Sequence, residues 1–276
     1  MDLNLYKKKV LVTGGSKGIG LEVANTFVQE GANVVICSRN KENLDKAAMS
    51  LRRISRSGQS VYGISADLTK EYDVSKAIEE TVNLLGGLDI LINNAGSAPA
   101  GKLLDIPEEY WDKALSLKLM GHVKMAKYTL RYFVEQNKGV ITNVIGNDGI
   151  KNPFWEITGT ASNAAGIHVF KALANQYSRY GIRINTINPG PVLTDRWKEL
   201  IERFSKDHGI SAEKANSIFE RSVGPGRIAD PKEIAKVVVF VSSDVASYIN
   251  GATIEVDGNQ QKDFIAYQIM ELEEKK

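Results

Sequence analysis

The chain predicts a doubly wound α/β fold in one domain, with a seven-stranded parallel sheet flanked by helices. Three observations carry this. Short apolar runs alternate with longer amphipathic stretches along the whole chain, the pattern of successive β-α-β units. The first run enters a glycine-rich turn that opens directly into a helix. The 276 residues divide into no repeats or low-complexity linkers. A prior of about 150 residues per domain would suggest two domains, but open α/β folds of roughly 250 residues often form one.

The expected strands are Lys9 to Val12, Asn33 to Cys37, Ser60 to Ile64, Leu88 to Ile92, Val140 to Val144, Arg183 to Ile187 and Thr253 to Val256. Between them lie expected helices near Gly18 to Glu30, Lys41 to Ser55, Tyr72 to Leu85, Pro107 to Glu135, Ala161 to Tyr180 and Pro231 to Ser242, each spaced to pack one face on a sheet. The charged helical stretch Asp195 to Gly226 breaks the alternation. It reads either as a lid over the C-terminal strand edges, where open α/β sheets bind ligands, or as a packed surface insert. Residues 1–260 thus form the expected domain, with the lid at about 195–226. The tail 261–276 is expected to fray or to dock on a neighbouring subunit.

Composition excludes several classes. With 43% hydrophobic residues and one cysteine, the chain is neither disordered nor disulfide-stapled. The 35 basic and 33 acidic residues leave a net charge of +2, no footprint for nucleic acid or an anionic membrane. No apolar run reaches about 18 residues, and MDLNLYKKKVLV holds no signal-peptide core, so a cytoplasmic protein is expected. No metal site is expected. Cys37, set in an apolar run, reads as a buried small residue.

The turn after the first strand is TGGSKGIG, containing Gly14, Ser16, Lys17, Gly18, Ile19 and Gly20. Glycines there allow a tight turn and bring backbone N–H groups against a pyrophosphate at a helix N-terminus. The second strand ends in Ser38 and Arg39, where a dinucleotide's adenosine ribose would lie. An arginine there suits a 2′-phosphate, and Lys17 adds charge, so NADP(H) is expected over NAD(H). Asp67 and Leu68 follow the third strand, Asp67 as an acceptor for the adenine amino group, and Asn94, Ala95 and Gly96 follow the fourth.

These motifs, with INPGPVLTD from Ile187 to Asp195 and the late ATIEVDG, resemble the short-chain dehydrogenases/reductases in order and approximate spacing, from about Lys9 to Gly258. The resemblance implies a Rossmann-like domain, assembly as a homodimer or homotetramer, and contacts to ribose and diphosphate from Asn94, Ala95 and Gly96. It further implies that Pro189, Gly190, Val192 and Thr194 line the nicotinamide.

Typical members use a tyrosine acid/base, a lysine four residues later, a serine about thirteen residues earlier, and a helical asparagine. A phenol needs a nearby ammonium to lower its pKa before it can cycle near neutral pH. Aligned by its flanks, this sequence has Gly146 at the serine position, Gly159 at the tyrosine, Asn163 at the lysine and Lys118 at the asparagine. Tyr128, Tyr132, Tyr177 and Tyr180 have no lysine four residues later, so a shifted register does not restore the motif.

Lysine and asparagine have thus exchanged places. Lys118, Asp148 and Asn163 are the expected site residues, with Glu156, Thr158, Thr160 and Ser162 as further polar candidates for a substrate oxygen. Lys118 is alternatively a subunit-contact or snorkelling lysine, Asp148 and Glu156 solvated loop acids, and His168 a structural residue. Phe154 and Trp155 form either an apolar wall over the pocket or a loop anchor. Three functions are consistent with this pattern: a short-chain oxidoreductase acting on a small carbonyl or alcohol with a non-standard site, a catalytically silent dinucleotide-binding subunit paired with an active homologue or sensing redox state, or a non-redox enzyme using the same pocket.

Overall fold

The computed structural model describes residues 2–274. Seven strands, β1 (Lys9–Thr13), β2 (Asn33–Ser38), β3 (Val61–Ser65), β4 (Ile90–Asn93), β5 (Gly139–Val144), β6 (Ile182–Pro189) and β7 (Thr253–Val256), form one parallel sheet ordered β3-β2-β1-β4-β5-β6-β7. Chain direction across the sheet reverses between β1 and β4, and that break opens a crevice at the strand C-termini.

Alternate strand residues feed opposite faces. Val10 and Val12 of β1 join a cluster with Phe27, Ile36, Ile92 and Val238, beneath α1 (Gly18–Gln29), α2 (Lys41–Ile54) and α9 (Pro231–Ser242). Leu11 joins Val35, Leu91, Phe133, Ile141 and Phe170 on the other face, beneath α3 (Glu71–Leu85), α5 (His122–Glu135) and α6 (Ile157–Tyr177). Burial on both faces explains why the inner strands read as continuous apolar runs. The α9 start is set by a capping box, with Asp230 and Glu233 exchanging side-chain and backbone bonds around Pro231.

The expected helix Pro107 to Glu135 is three segments: α4 (Glu108–Lys113), a wider π-helical stretch Ala114–Gly121, and α5. Within ALSLKLMG, apolar residues fall on every side, so no single packed face holds the α winding there. Helix α6 starts at Ile157, four residues before expectation, because Thr160 N–H already donates to the Glu156 carbonyl and the winding runs through Gly159.

The stretch 195–226 contains α7 (Asp195–His208), capped by Thr194 accepting from Trp197 N–H, and α8 (Ala212–Arg221), capped by Ser211. A third apolar cluster joins them to the tail. Residues Lys262–Glu274 form α10, whose buried Ile265 and Ile269 pack with Trp155, Trp197, Phe204 and Phe219. The tail therefore packs on its own chain, because an isoleucine pair one helical turn apart supplies a buried stripe. Lys275 and Lys276 lie outside the described residues. Among those described, no helix is long and apolar enough to cross a membrane.

Candidate active site

A cavity of about 540 Å³ occupies the crevice at the C-terminal ends of β1, β4, β5 and β6. Gly14, Ser16, Lys17, Gly18, Ile19, Gly20, Ser38, Arg39, Leu68, Asn94, Ala95, Gly96, Pro189, Gly190, Val192 and Thr194 line it. Asp67 does not. Its Oδ1 accepts from the Thr69 N–H at 3.0 Å and hydroxyl at 2.8 Å. Burial raises its pKa, but these bonds and the nearby Arg39 charge outweigh that and leave it below the ordinary value.

The turn after β1 is fastened to β4. Thr13 Oγ1 accepts from Asn94 N–H at 2.9 Å and Ala95 N–H at 3.1 Å, and Asn94 Nδ2 donates to the Thr13 carbonyl at 3.0 Å. A Cβ at position 20 would stand 2.3 Å from the Gly14 carbonyl oxygen, so only glycine lets α1 begin this close to the turn. Lys17, at the α1 N-cap, gives no side-chain cap to the first-turn N–H groups. Cys37 borders the cavity, but burial pushes its thiol up to about 12, so it stays protonated and a poor nucleophile.

At the other end, Lys118 and Asn163 converge on Gly146. A Cβ at 146 would lie 3.0 Å from Asn163 Nδ2 and 3.7 Å from Lys118 Nζ. Lys118 comes from the π-helical stretch and Asn163 from α6. Among the described residues no hydrogen bond or ion pair reaches the Lys118 ammonium, which lines the cavity. Burial lowers its pKa to about 8, partly opposed by Asp148. Both amide atoms of Asn163 are buried without a partner, behind the cavity wall. Behind Lys118, His122 Nε2 lies 2.9 Å from the Ala95 carbonyl oxygen. Burial lowers that histidine to about 4, so the ring is neutral at pH 7 and the contact is an Nε2–H donation.

Asp148 and Glu156 are not solvated loop acids. Lys262, from the first turn of α10, donates to Asp148 Oδ1 at 2.7 Å and Glu156 Oε2 at 3.2 Å, and all three line the cavity. Burial lowers Lys262, but the two carboxylates outweigh it and raise its pKa; burial raises that of Glu156. Asp148 Oδ2 is 3.5 Å from where a Cβ at Gly159 would begin.

The hydroxyls of Thr158, Thr160 and Ser162 bond to backbone carbonyls at Pro99, Glu156 and Gly159. Trp155 is a loop anchor rather than a pocket wall: it is buried and donates through Nε1 to Asp207 at 3.0 Å. His168 faces solvent on α6. Sequence reasoning missed Lys262, and also Arg196, Trp197, Leu200 and Phe219, which line the cavity from α7 and α8. The signal for Lys262 was present, a lysine immediately ahead of the amphipathic run DFIAYQIM. Among the described residues no group of three or more His, Cys, Asp or Glu is placed to hold a metal ion.

Residues 8–204 match the family model for short chain dehydrogenase. The chain is 31% identical to an uncharacterised oxidoreductase of Bacillus subtilis over 94% of this chain and 98% of that protein. It is also 31% identical to an NAD-dependent glycerol dehydrogenase of Listeria innocua, over 93% and 95%. Among solved structures, L-sorbose reductase from Gluconobacter frateurii complexed with NADPH and L-sorbose superposes with a TM-score of 0.86 at 30% identity, covering 94% of this chain and 98% of that one. Fold, crevice and family match agree: the chain belongs to the short-chain dehydrogenase/reductase family.

Proposed function

We propose that this protein is an NADP(H)-dependent oxidoreductase that acts on a small carbonyl or alcohol substrate through a site without the usual serine, tyrosine and lysine. The observation that carries this reading is Lys118, a half-buried ammonium with no protein partner among the described residues, facing the cavity beside Gly146.

The residues present fit a dinucleotide. The turn is held close to Asn94, the first-turn N–H groups of α1 carry no side-chain cap, and glycines at 14 and 18 take left-handed φ of 65° and 55°. Lys17, Gly14, Ser16, Gly18, Ile19 and Gly20 would hold the diphosphate, Ser38 and Arg39 a 2′-phosphate, and Leu68 the adenine side, with Asp67 engaged by Thr69 outside the cavity. Asn94, Ala95 and Gly96 would border the ribose, and Pro189, Gly190, Val192 and Thr194 the nicotinamide. The NADPH complex of the sorbose reductase supports the 2′-phosphate assignment.

When bound, the nicotinamide supplies or accepts the hydride. Lys118 then meets the developing negative charge on the substrate oxygen and gives it a proton, a task suited to a group with a pKa near 8. The Asp148 charge stabilises that ammonium, and the Asn163 amide packs beside it against Gly146. Helices α7 and α8, residues 195–226, act as a lid, with Trp197, Leu200 and Phe219 excluding water. The protein would assemble as a homodimer or homotetramer.

The test combines NADPH binding, followed by nicotinamide fluorescence, with turnover of a carbonyl panel followed by nicotinamide absorbance. Binding and turnover that fall together in Lys118→Met would be inconsistent with a purely chemical role; turnover alone should fall. A second reading, a silent dinucleotide-binding subunit paired with an active homologue, is favoured by one observation: the hydroxyls of Thr158, Thr160 and Ser162 are all engaged by backbone carbonyls. Tight NADPH binding with no turnover across the panel would select it.

A further inference from the structure

The half-buried lysine at 118 poses a chemical question. Asp148 and Glu156 line the same cavity, and a carboxylate ordinarily captures a desolvated ammonium within reach. Here both carboxylates are taken by Lys262, at 2.7 Å and 3.2 Å. Lys262 has no freedom to wander. Two residues earlier, Gln260 Oε1 accepts from Asn147 Nδ2 at 2.8 Å, and Asn147 is the neighbour of Asp148. The Gln261 N–H donates to the Ser222 carbonyl at 2.7 Å, and Ile265 and Ile269 fix the body of α10. The two ends of the Lys262–Asp148 pair are therefore joined by a second, neutral bond through Asn147 and Gln260.

We propose that Lys262 is a positioning residue of this active site: by holding Asp148 and Glu156 it keeps both carboxylates off Lys118 and leaves that ammonium free for a substrate oxygen. The inference rests on the proposed role of Lys118 and makes α10 part of the active site. The charged groups acting on Lys118 are Asp148 in the turn after β5, Glu156 ahead of α6, Arg196 on α7 and Lys262 on α10, with the neutral His122 on α5 behind it. Asp148 and Glu156 favour the ammonium; Arg196 and Lys262 oppose it. Removing Lys262 acts twice in the same direction, deleting an opposing charge and releasing Asp148 to pair with Lys118.

The experiment is competitive acetylation of the full-length, cofactor-free protein with acetic anhydride from pH 6 to 10, with modification of Lys118 quantified by peptide mass spectrometry. It needs neither substrate nor hydride transfer. The wild-type midpoint is expected near pH 8. Lys262→Met should raise it by about one pH unit, slowing acetylation at pH 7 about tenfold. Lys262→Arg should stay near wild type, and Asp148→Asn should move the midpoint down. An unchanged midpoint in Lys262→Met, or an arginine variant that shifts like the methionine, overturns the inference. If Lys262→Met loses its far-UV circular dichroism, Asp148→Asn decides alone, and a midpoint that does not fall overturns it. Shifts as expected without any turnover would sink the proposed function and leave the role of Lys262 standing; turnover with flat midpoints would do the reverse.

Discussion

The amide nitrogen of Asn163 stands 3.0 Å from the point where a side chain at Gly146 would begin. That closeness and the φ of 141° at Gly146 give two glycines of one site opposite tolerances. Gly146→Ala should destabilise the fold by about 1–3 kcal/mol, since an L-residue is strained there. Gly159 lies inside α6, and an added Cβ would meet only ordinary contacts at 3.5 and 3.6 Å. Gly159→Ala should therefore stabilise by about 0.5–1 kcal/mol. Urea unfolding of both variants measures the contrast.

Replacing Lys118 by methionine keeps an unbranched side chain, one atom shorter, and removes the proton. Turnover should fall by about 10²- to 10⁴-fold, with NADPH affinity little changed. In the wild type, carbonyl reduction should decline as pH rises through about 8, because the ammonium is then lost. Steady-state kinetics between pH 6 and 10 would show both effects.

Arg39 lies at the end of β2, at the cavity margin. Arg39→Glu should weaken NADPH binding by about 10- to 100-fold, the worth of one charge-assisted hydrogen bond of about 1.5–3 kcal/mol. NADH binding should stay the same or tighten, since a carboxylate there accepts from the 2′-hydroxyl. Fluorescence titration with both cofactors reads the change in preference.

His122 should give the fold an acid-sensitive limb. Burial lowers its pKa to about 4 in the folded chain, against about 6.5 unfolded. Between those values the unfolded state binds the extra proton. Stability is fully present above about pH 6.5 and declines as pH falls toward 4, by up to about 3 kcal/mol. His122→Gln keeps a donor for the Ala95 carbonyl and removes the titration. The difference in unfolding free energy between the two proteins should therefore change with pH only inside that window.

The five inner strands were legible because they are buried on both faces, and an unbroken apolar run such as VLV or VVIC has few alternatives after a turn signal; the edge strands β3 and β7 are partly exposed and were legible from their place in the alternation. The cavity margins were legible for a related reason: TGGSKGIG sits where one strand ends and one helix begins, so its position in space is set by its position in sequence. The partners of Asp148 were not. Lys262 is 114 residues away, and nothing in a lysine at the head of a short amphipathic helix says which carboxylates it will meet. The engagement of Asp67 by Thr69 was equally invisible, since a local turn bond competes with a ligand only once the backbone is placed. The winding around Lys118 escaped because helical periodicity averages over several turns and passes smoothly through one widened turn.

The widened turn bears on how this chain tolerates length changes. A π turn closes its hydrogen bond one residue later than an α turn, so it stores one surplus residue without rotating the helix beyond it. Deleting a single residue between Ala114 and Gly121 would let the backbone relax to ordinary α winding while Met125, Ala126 and Phe133 keep their places in the core. The same deletion one turn into α5 has no such slack and would swing that buried face by about 100°. The stretch that presents Lys118 is thus a splice in the scaffold, a place where the protein can lose a residue, and with it the ammonium, without losing its fold.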